Sequence, residues 1–166
     1  MQTKLRRRVR HVCDRRYKRA TRERRPGAAA RDTGLAMSQE NVQIVRRVYE
    51  QWSRGDFSGG DAFHPEVEFE MVDWPGRDRS RGLEEMRDAW QESLSAWDDF
   101  RAEPTDVMGS GPHVVVFTHV TARGKGSGAA VDADTATVWT IEAGKVVRLA
   151  LHWNRADALE AAGLSG

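Results

Sequence analysis

The sequence predicts an α+β fold in which helices pack on one face of a bent, mostly antiparallel sheet. Two observations carry the prediction. Apolar residues recur at helical spacing in the first half of the globular part, and the second half consists of segments rich in Val, Thr and aromatic residues that are joined by short turns. Helices followed by a meander of strands are typical of a layered α+β domain, which commonly encloses a pocket.

The first predicted helix covers residues 38–54, where Val45, Val48 and Trp52 lie three or four residues apart and Ser38 offers an N-cap oxygen. Gly55 ends it, and a short second helix is predicted over residues 61–63. A third helical stripe runs from Leu83 to Trp97, and we expect it to be the longest helix.

Strands are predicted over residues 67–71, 100–107, 114–123, 130–141 and 146–153. The first alternates apolar and charged residues, as a strand with one buried face does. The glycine-rich segment 124–128 and the segment 142–145 are short enough to form hairpin turns. Asn154 is predicted to cap a last helix over residues 156–162, with Gly163 after its end.

Charge is distributed unevenly along the chain. Residues 1–36 carry thirteen Lys/Arg against three acids, a net of +10, whereas residues 37–166 carry a net of −9. A segment that is this basic and has this few apolar residues is expected to be disordered or a frayed helix. A nucleic-acid arm is one interpretation, but aromatic residues for base stacking are lacking beyond Tyr17. We favour the interpretation that residues 1–36 are a translated upstream stretch and that Met37 is the biological first residue.

Composition excludes several classes of protein. No apolar run approaches the roughly 18 residues that a membrane span needs. The single cysteine, Cys13, leaves no intramolecular disulfide or Cys cluster, and we expect a cytoplasmic protein. No metal is expected, because no two histidines stand four residues apart as in a helical zinc motif. No cofactor is expected either, since no phosphate-binding glycine loop leads from a strand into a helix.

A resemblance covers about 130 residues and leaves the first 36 unmatched. The segments that carry it, in chain order, are SQENVQIVRRVYEQWSRGD, FHPEVEFE, the WPG loop, HVVVFTHVTARGKGSG, VWTIEAGKVVRLALHW and RADALEAAGL. Together they resemble small bacterial SnoaL-like proteins of the nuclear transport factor 2-like superfamily, also called cystatin-like. The resemblance implies a cone-shaped domain whose strongly curved sheet wraps a long helix, often as a homodimer. It implies either a cofactor-free isomerase, cyclase or dehydratase or a protein that only binds ligands or partners, and fold alone does not choose between them.

Glu70 is the first candidate for a catalytic acid or base, because the resemblance to ketosteroid isomerases puts a carboxylate near the end of the first strand. That role needs a raised pKa and apolar surroundings. The commoner alternative is that Glu68 and Glu70 form a solvated strand face. Asp73 is a weaker substitute. Asp134, which shares a strand face with Asp132, is a further candidate, with an exposed edge as its alternative.

His119 and His152 are the histidines best placed to orient or protonate a substrate, since both lie within predicted strands. The alternative for each is a place on a dimer face or in the core. Aromatic residues on the predicted helices and strands suit an apolar, ring-containing ligand, although core packing would also explain most of them. The predicted pocket residues are Tyr49, Trp52, Phe63, Phe69, Trp90, Phe117 and Trp139.

Overall fold

A computed structural model describes residues 32–54, 56, 60–72 and 79–164. The helices are α1 (Asp32–Ser53), α2 (Leu83–Ser95) and α3 (Arg155–Ala161), with a 3-10 turn at Gly60–Ala62. The strands are β1 (Phe63–Met71), β2 (Arg79–Arg81), β3 (Trp97–Ser110), β4 (His113–Gly124), β5 (Ala130–Glu142) and β6 (Lys145–His152). The basic segment 1–31, Gly55 and Asp73 lie outside the described residues.

All six strands form one sheet in the order β2-β1-β6-β5-β4-β3. Four of the five pairings are antiparallel, and the β1–β6 pairing is parallel. The expected α+β fold with a mostly antiparallel sheet is therefore confirmed. Since β3, β4, β5 and β6 are consecutive neighbours, the predicted meander is confirmed too, and β1 joins it at the far side of β6.

The two faces of the sheet are buried by different helices. Helices α1 and α2 cover one face, which we call the inner face, and its core includes Val45, Val116 and Trp139. The short helix α3 covers part of the outer face, where Ala158 and Ala162 pack against Phe117. Strand alternation explains the division, because successive side chains of β4 and β5 point to opposite faces.

Helix α1 approaches the sheet closely at Gly109 of β3. A Cβ atom there would lie 2.9 Å from Val42 Cγ2 and 3.0 Å from the Ser38 carbonyl oxygen. Ser38 Oγ also accepts a hydrogen bond from the Gly111 N–H at 3.0 Å, and the Asn41 side chain donates to the Gly111 carbonyl at 3.1 Å. These contacts fix the first turns of α1 against the β3–β4 hairpin.

The helix predictions need three corrections. Ser38 does not cap α1, because the helix begins at Asp32 and Ser38 lies inside it. Helix α2 has 13 residues against 22 in α1, so the stripe from Leu83 is not the longest helix. It ends at Ser95, and Trp97 begins β3 instead of closing the stripe. At the C-terminal helix the predicted cap is confirmed, as Asn154 Oδ1 accepts from the Asp157 N–H at 2.9 Å.

Candidate functional site

A cavity of about 180 Å³ lies between the two inner-face helices and the sheet. Its wall is almost entirely apolar and is built by α1, α2 and every strand except β2. Its lining residues include Tyr49, Trp52, Phe69, Trp90, Trp97, Asp99, Phe100, Arg101, Ala102, Thr118, Thr135, Thr137, Trp139 and His152.

Trp52 of α1 is the centre of an aromatic wall on one side of the cavity. Its ring centroid lies 5.5 Å from Tyr49 and 5.7 Å from Trp139, and it stacks on Trp90 at 6.1 Å. Phe69 meets the edge of Trp90 at 6.1 Å. Each ring is held by at least one other ring, so the wall presents fixed π-faces and edges to the cavity.

Five of the seven predicted pocket residues line the cavity, and two do not. Phe63 is buried beneath the wall, with its ring 6.0 Å from Trp139, and belongs to the core. Phe117 lies on the outer face of the sheet, where the Arg155 guanidinium sits 3.9 Å above its ring. Alternation along β4 sends Phe117 outward while Val116 and Thr118 point inward.

Three threonines on β4 and β5 contribute hydroxyl groups to the cavity surface. Thr137 Oγ1 accepts a hydrogen bond from Trp139 Nε1 at 2.9 Å and lies 3.4 Å from the Tyr49 hydroxyl. Thr135 and Thr118 face each other across the strand pair, and Thr135 Oγ1 donates to the Thr118 carbonyl at 3.4 Å. We call these three residues the threonine floor.

An irregularity in β3 brings charged groups to the edge of the cavity. The β3–β4 register shifts between Asp98 and Arg101, and Asp99 holds a left-handed backbone with φ 55°. Bulges of this kind bend a strand and redirect its side chains. As a result Asp99, Phe100 and Arg101 all line the cavity. Non-glycine residues at positive φ are strained, and such strain concentrates at functional sites.

Glu70 lies away from this cavity, on the outer face of β1. Its carboxylate accepts hydrogen bonds from Arg79 at 3.0 and 3.2 Å and from Arg148 of β6. Burial acts to raise the pKa of Glu70, but the hydrogen bonds and charges of Arg148 and Arg79 outweigh it and hold the pKa below its usual 4.5. Glu70 therefore lacks the apolar surroundings and the raised pKa that the catalytic role needs, since two arginines stabilise the ionised form.

His119 and Asp134 form a pair on the outer face. His119 Nδ1 lies 2.9 Å from Asp134 Oδ1, and His119 Nε2 lies 3.5 Å from Asp132 Oδ1. The hydrogen bond to Asp134 raises the pKa of His119 most; desolvation opposes this rise, and the charges of Asp132, Asp134 and Glu103 add to it. The cavity lining does not include either residue. The structure thus groups these two candidates with each other and separates them from the aromatic wall.

His152 is the one predicted acid/base candidate that the described cavity contains. It ends β6, is 6% exposed and lines the cavity.

Asp99 was missed from the sequence because its position depends on the register shift, which periodicity does not reveal. The threonine floor had a visible signal, as Thr135, Thr137 and Trp139 alternate along one face of β5.

The described residues contain neither a candidate membrane span nor a cluster suited to a metal ion. No helix in that part of the chain is long and apolar enough to cross a membrane. Among the same residues, no group of three or more His, Cys, Asp or Glu is arranged to hold a metal ion.

Solved structures with a similar fold have low sequence identity. A nuclear transport factor 2-like protein of unknown function from Burkholderia pseudomallei is 23% identical, with TM-score 0.61 over 73% of this chain and 95% of its own. TerC, co-crystallised with polyporic acid, is 18% identical, with TM-score 0.60 over 76% and 98%. A Jannaschia protein proposed as a SnoaL-like polyketide cyclase is 18% identical, with TM-score 0.59 over 87% and 98%. These identities show the fold alone.

Family membership rests on a separate comparison. No curated protein matches the chain. The model of the SnoaL-like domain family matches residues 45–149, which run from the middle of α1 into β6 and include most of the cavity wall. The chain belongs to the SnoaL-like domain family.

Proposed function

We propose that this protein binds a small, uncharged, mainly apolar molecule that contains rings, and that it does so in the aromatic cavity. The observation that carries the proposal is the aromatic wall of Trp52, Trp90 and Trp139, which faces an open space that no other side chain fills. Pockets of this composition take apolar ligands, and fixed rings favour flat or cyclic ones.

Charge supports an uncharged ligand. Residues 37–166 carry a net of −9, which disfavours the approach of anions. At the cavity itself, Asp99 and Arg101 stand at the same bulge and carry opposite charges, so neither an anion nor a cation is favoured there by net charge. The wall elsewhere offers apolar contacts and hydroxyl groups.

The test is binding of α-tetralone, an uncharged two-ring ketone, measured by isothermal titration calorimetry. Ala102→Phe places a ring in the cavity, and we expect it to weaken binding at least about tenfold by occupying the site. Met108→Phe is the matched control, because Met108 is exposed on the outer face of the same strand. Equal binding by wild type and Ala102→Phe would place the ligand elsewhere and contradict the proposal.

A cofactor-free acid/base reaction is the second candidate, covering the isomerisation, cyclisation or dehydration that the resemblance implies. It is supported by His152 and Asp99, titratable groups that line the cavity beside the aromatic wall. An imidazole ordinarily exchanges protons near neutral pH, and a carboxylate at a bulge can act as its acid or base partner. Glu70, Asp134 and His119 lie outside this cavity.

This reaction is testable without knowing the substrate. In deuterated water, a base in the cavity would remove a proton from the carbon next to the ketone of α-tetralone, and solvent would return a deuteron. We expect the wild type to accelerate this exchange, followed by NMR, and His152→Gln or Asp99→Asn to slow it about tenfold or more. His119→Gln, on the outer face, serves as the control. An exchange rate equal to that in buffer would contradict the acid/base reaction and leave ligand binding as the function.

A further inference from the structure

Two polar atoms of cavity-lining residues are buried without a hydrogen-bond partner among the described residues. They are Trp90 Nε1 of α2 and Thr118 Oγ1 of β4. Buried polar groups in folded proteins are nearly always hydrogen-bonded, so each exception calls for an explanation. Both residues border the same cavity, from the helix side and from the sheet side.

The indole N–H of Trp90 can only donate a hydrogen bond. Its ring is stacked on Trp52 at 6.1 Å and meets Phe69 edge-on at 6.1 Å, so the direction of the N–H is fixed by packing. A partner must therefore bring an acceptor to the nitrogen. A hydrocarbon ligand supplies none, and a ligand group that only donates does not serve either.

Thr118 differs from its neighbours on the threonine floor. The Thr137 hydroxyl is engaged by Trp139 and Tyr49, and the Thr135 hydroxyl donates to the Thr118 backbone carbonyl. Within the described part of the chain, the Thr118 hydroxyl is the member of the floor without such a contact. It is 6% exposed, and rotation about its C–O bond lets it donate or accept.

We propose that Trp90 and Thr118 are the specificity-determining residues of this cavity, and that they select uncharged ring molecules carrying at least one hydrogen-bond acceptor oxygen. The inference rests on the proposed function, because it assigns polar recognition points to the same site. Binding supplies a partner to a donor that is already desolvated, so the hydrogen bond is gained at little further desolvation cost on the protein side.

Discrimination between two probes of matched shape tests the proposal. α-Tetralone and tetralin share a two-ring skeleton and differ by one carbonyl oxygen. The hydrophobic effect alone favours tetralin, which is the less polar molecule. We expect wild-type protein to prefer α-tetralone by about tenfold or more in Kd, the ratio produced by one well-placed hydrogen bond in a desolvated site.

Trp90→Phe and Thr118→Val remove one polar group each and keep a ring or a branched shape. At least one of them should reduce the tetralone preference to about threefold or less; the ratio of the two affinities is the readout, because a change of shape in the wall alters the affinity for both probes. Thr121→Val, on the outer face of β4, is the control that should change the affinity for neither probe. Thr118→Val is nearly isosteric, so it keeps the test decisive if Trp90→Phe does not fold.

The outcomes separate this inference from the proposed function. Binding of both probes with tetralin equal to or tighter than tetralone overturns the selection by Trp90 and Thr118 and leaves the apolar pocket intact. An unchanged preference in both variants also overturns it. If neither probe binds the wild type, the proposed function fails, and the inference fails with it.

Discussion

Ala143 holds a backbone conformation that L-residues with a Cβ atom rarely adopt. Its φ is 47°, and Gly144 after it has φ 77°. The two residues join β5 to β6, where Glu142 pairs with Lys145, so they form a two-residue hairpin loop with both central φ angles positive. Turns of this type prefer Asn followed by Gly, and the alanine is a strained choice for the first position.

Ala143→Asn should therefore stabilise the protein. Asn tolerates the left-handed region better than Ala, so we expect the free energy of unfolding to rise by about 0.5 to 1 kcal/mol. The corresponding rise in Tm is about 1 to 4 °C for a domain of this size. Ala129→Asn, at an exposed position for which φ is not positive, is the control in the same thermal melts. A lower Tm for Ala143→Asn would contradict the assigned turn.

At the residue scale, alternation and helical spacing predicted most of the aromatic wall. Tyr49, Trp52 and Trp90 follow from helical stripes, whereas Phe117 was assigned to the wrong face of its strand. A shift of one residue reverses every assignment in a strand, and one sequence does not fix that register. The environment of Glu70 was not predictable either, because Arg148 and Arg79 come from strands whose pairing with β1 depends on the tertiary fold.

The ion pairs of Glu70 connect three elements at the edge of the sheet. β1 supplies the carboxylate, β2 supplies Arg79 and β6 supplies Arg148. The β1–β6 pairing is the parallel one, and it joins the first strand to the meander. The Glu70 side chain is 15% exposed, while the two arginines are 73% and 47% exposed, so solvent screens part of the attraction.

Glu70→Gln should destabilise the fold by about 1 kcal/mol at neutral pH, the amount left after solvent screening of the arginines. Because folding lowers the pKa of Glu70, its contribution is fully present above the usual value of 4.5 and disappears as the pH falls through the lowered value. The difference between wild type and variant in urea unfolding should therefore shrink on acidification below pH 4.5.

Glu68→Gln, at an exposed position on the same face of β1, is the matched control for this series. A Glu70→Gln difference that persists unchanged at acidic pH would mean that the ionised carboxylate is not the source of the stability. Loss of α-tetralone binding in a folded Glu70→Gln protein would instead return Glu70 to the functional site.

At the element scale, the predicted bounds agree closely for some strands and helices and poorly for others. The strands predicted over residues 130–141 and 146–153 agree with β5 and β6 to within one residue at each end. Strand β2 was missed because its three residues have no apolar pattern of their own and are ordered by pairing with β1. Trp97 continues the helical spacing in the sequence, yet β3 begins at this residue. Spacing alone does not mark where a helix ends.

For the whole molecule, the order of elements in the sequence and the resemblance together predicted the architecture. The position of the cavity could be located only in the folded structure. The cavity depends on side chains of β1 and of β3 and β4, which lie at opposite ends of the strand order, meeting side chains of α1 and α2. The homodimer, the cytoplasmic location and the disorder of residues 1–31 stay predictions, whereas residues 32–36 are helical and belong to α1.

The measurement that tests the central claim most directly is a titration with α-tetralone followed by ¹H–¹⁵N NMR of the tryptophan indole groups. We predict saturable shifts of the Trp52, Trp90 and Trp139 indoles, because their rings line the cavity, with the Asp134 amide on the outer face unchanged. Ala102→Phe should suppress the indole shifts. Indole signals that stay in place while outer-face amides move would contradict binding in the aromatic cavity.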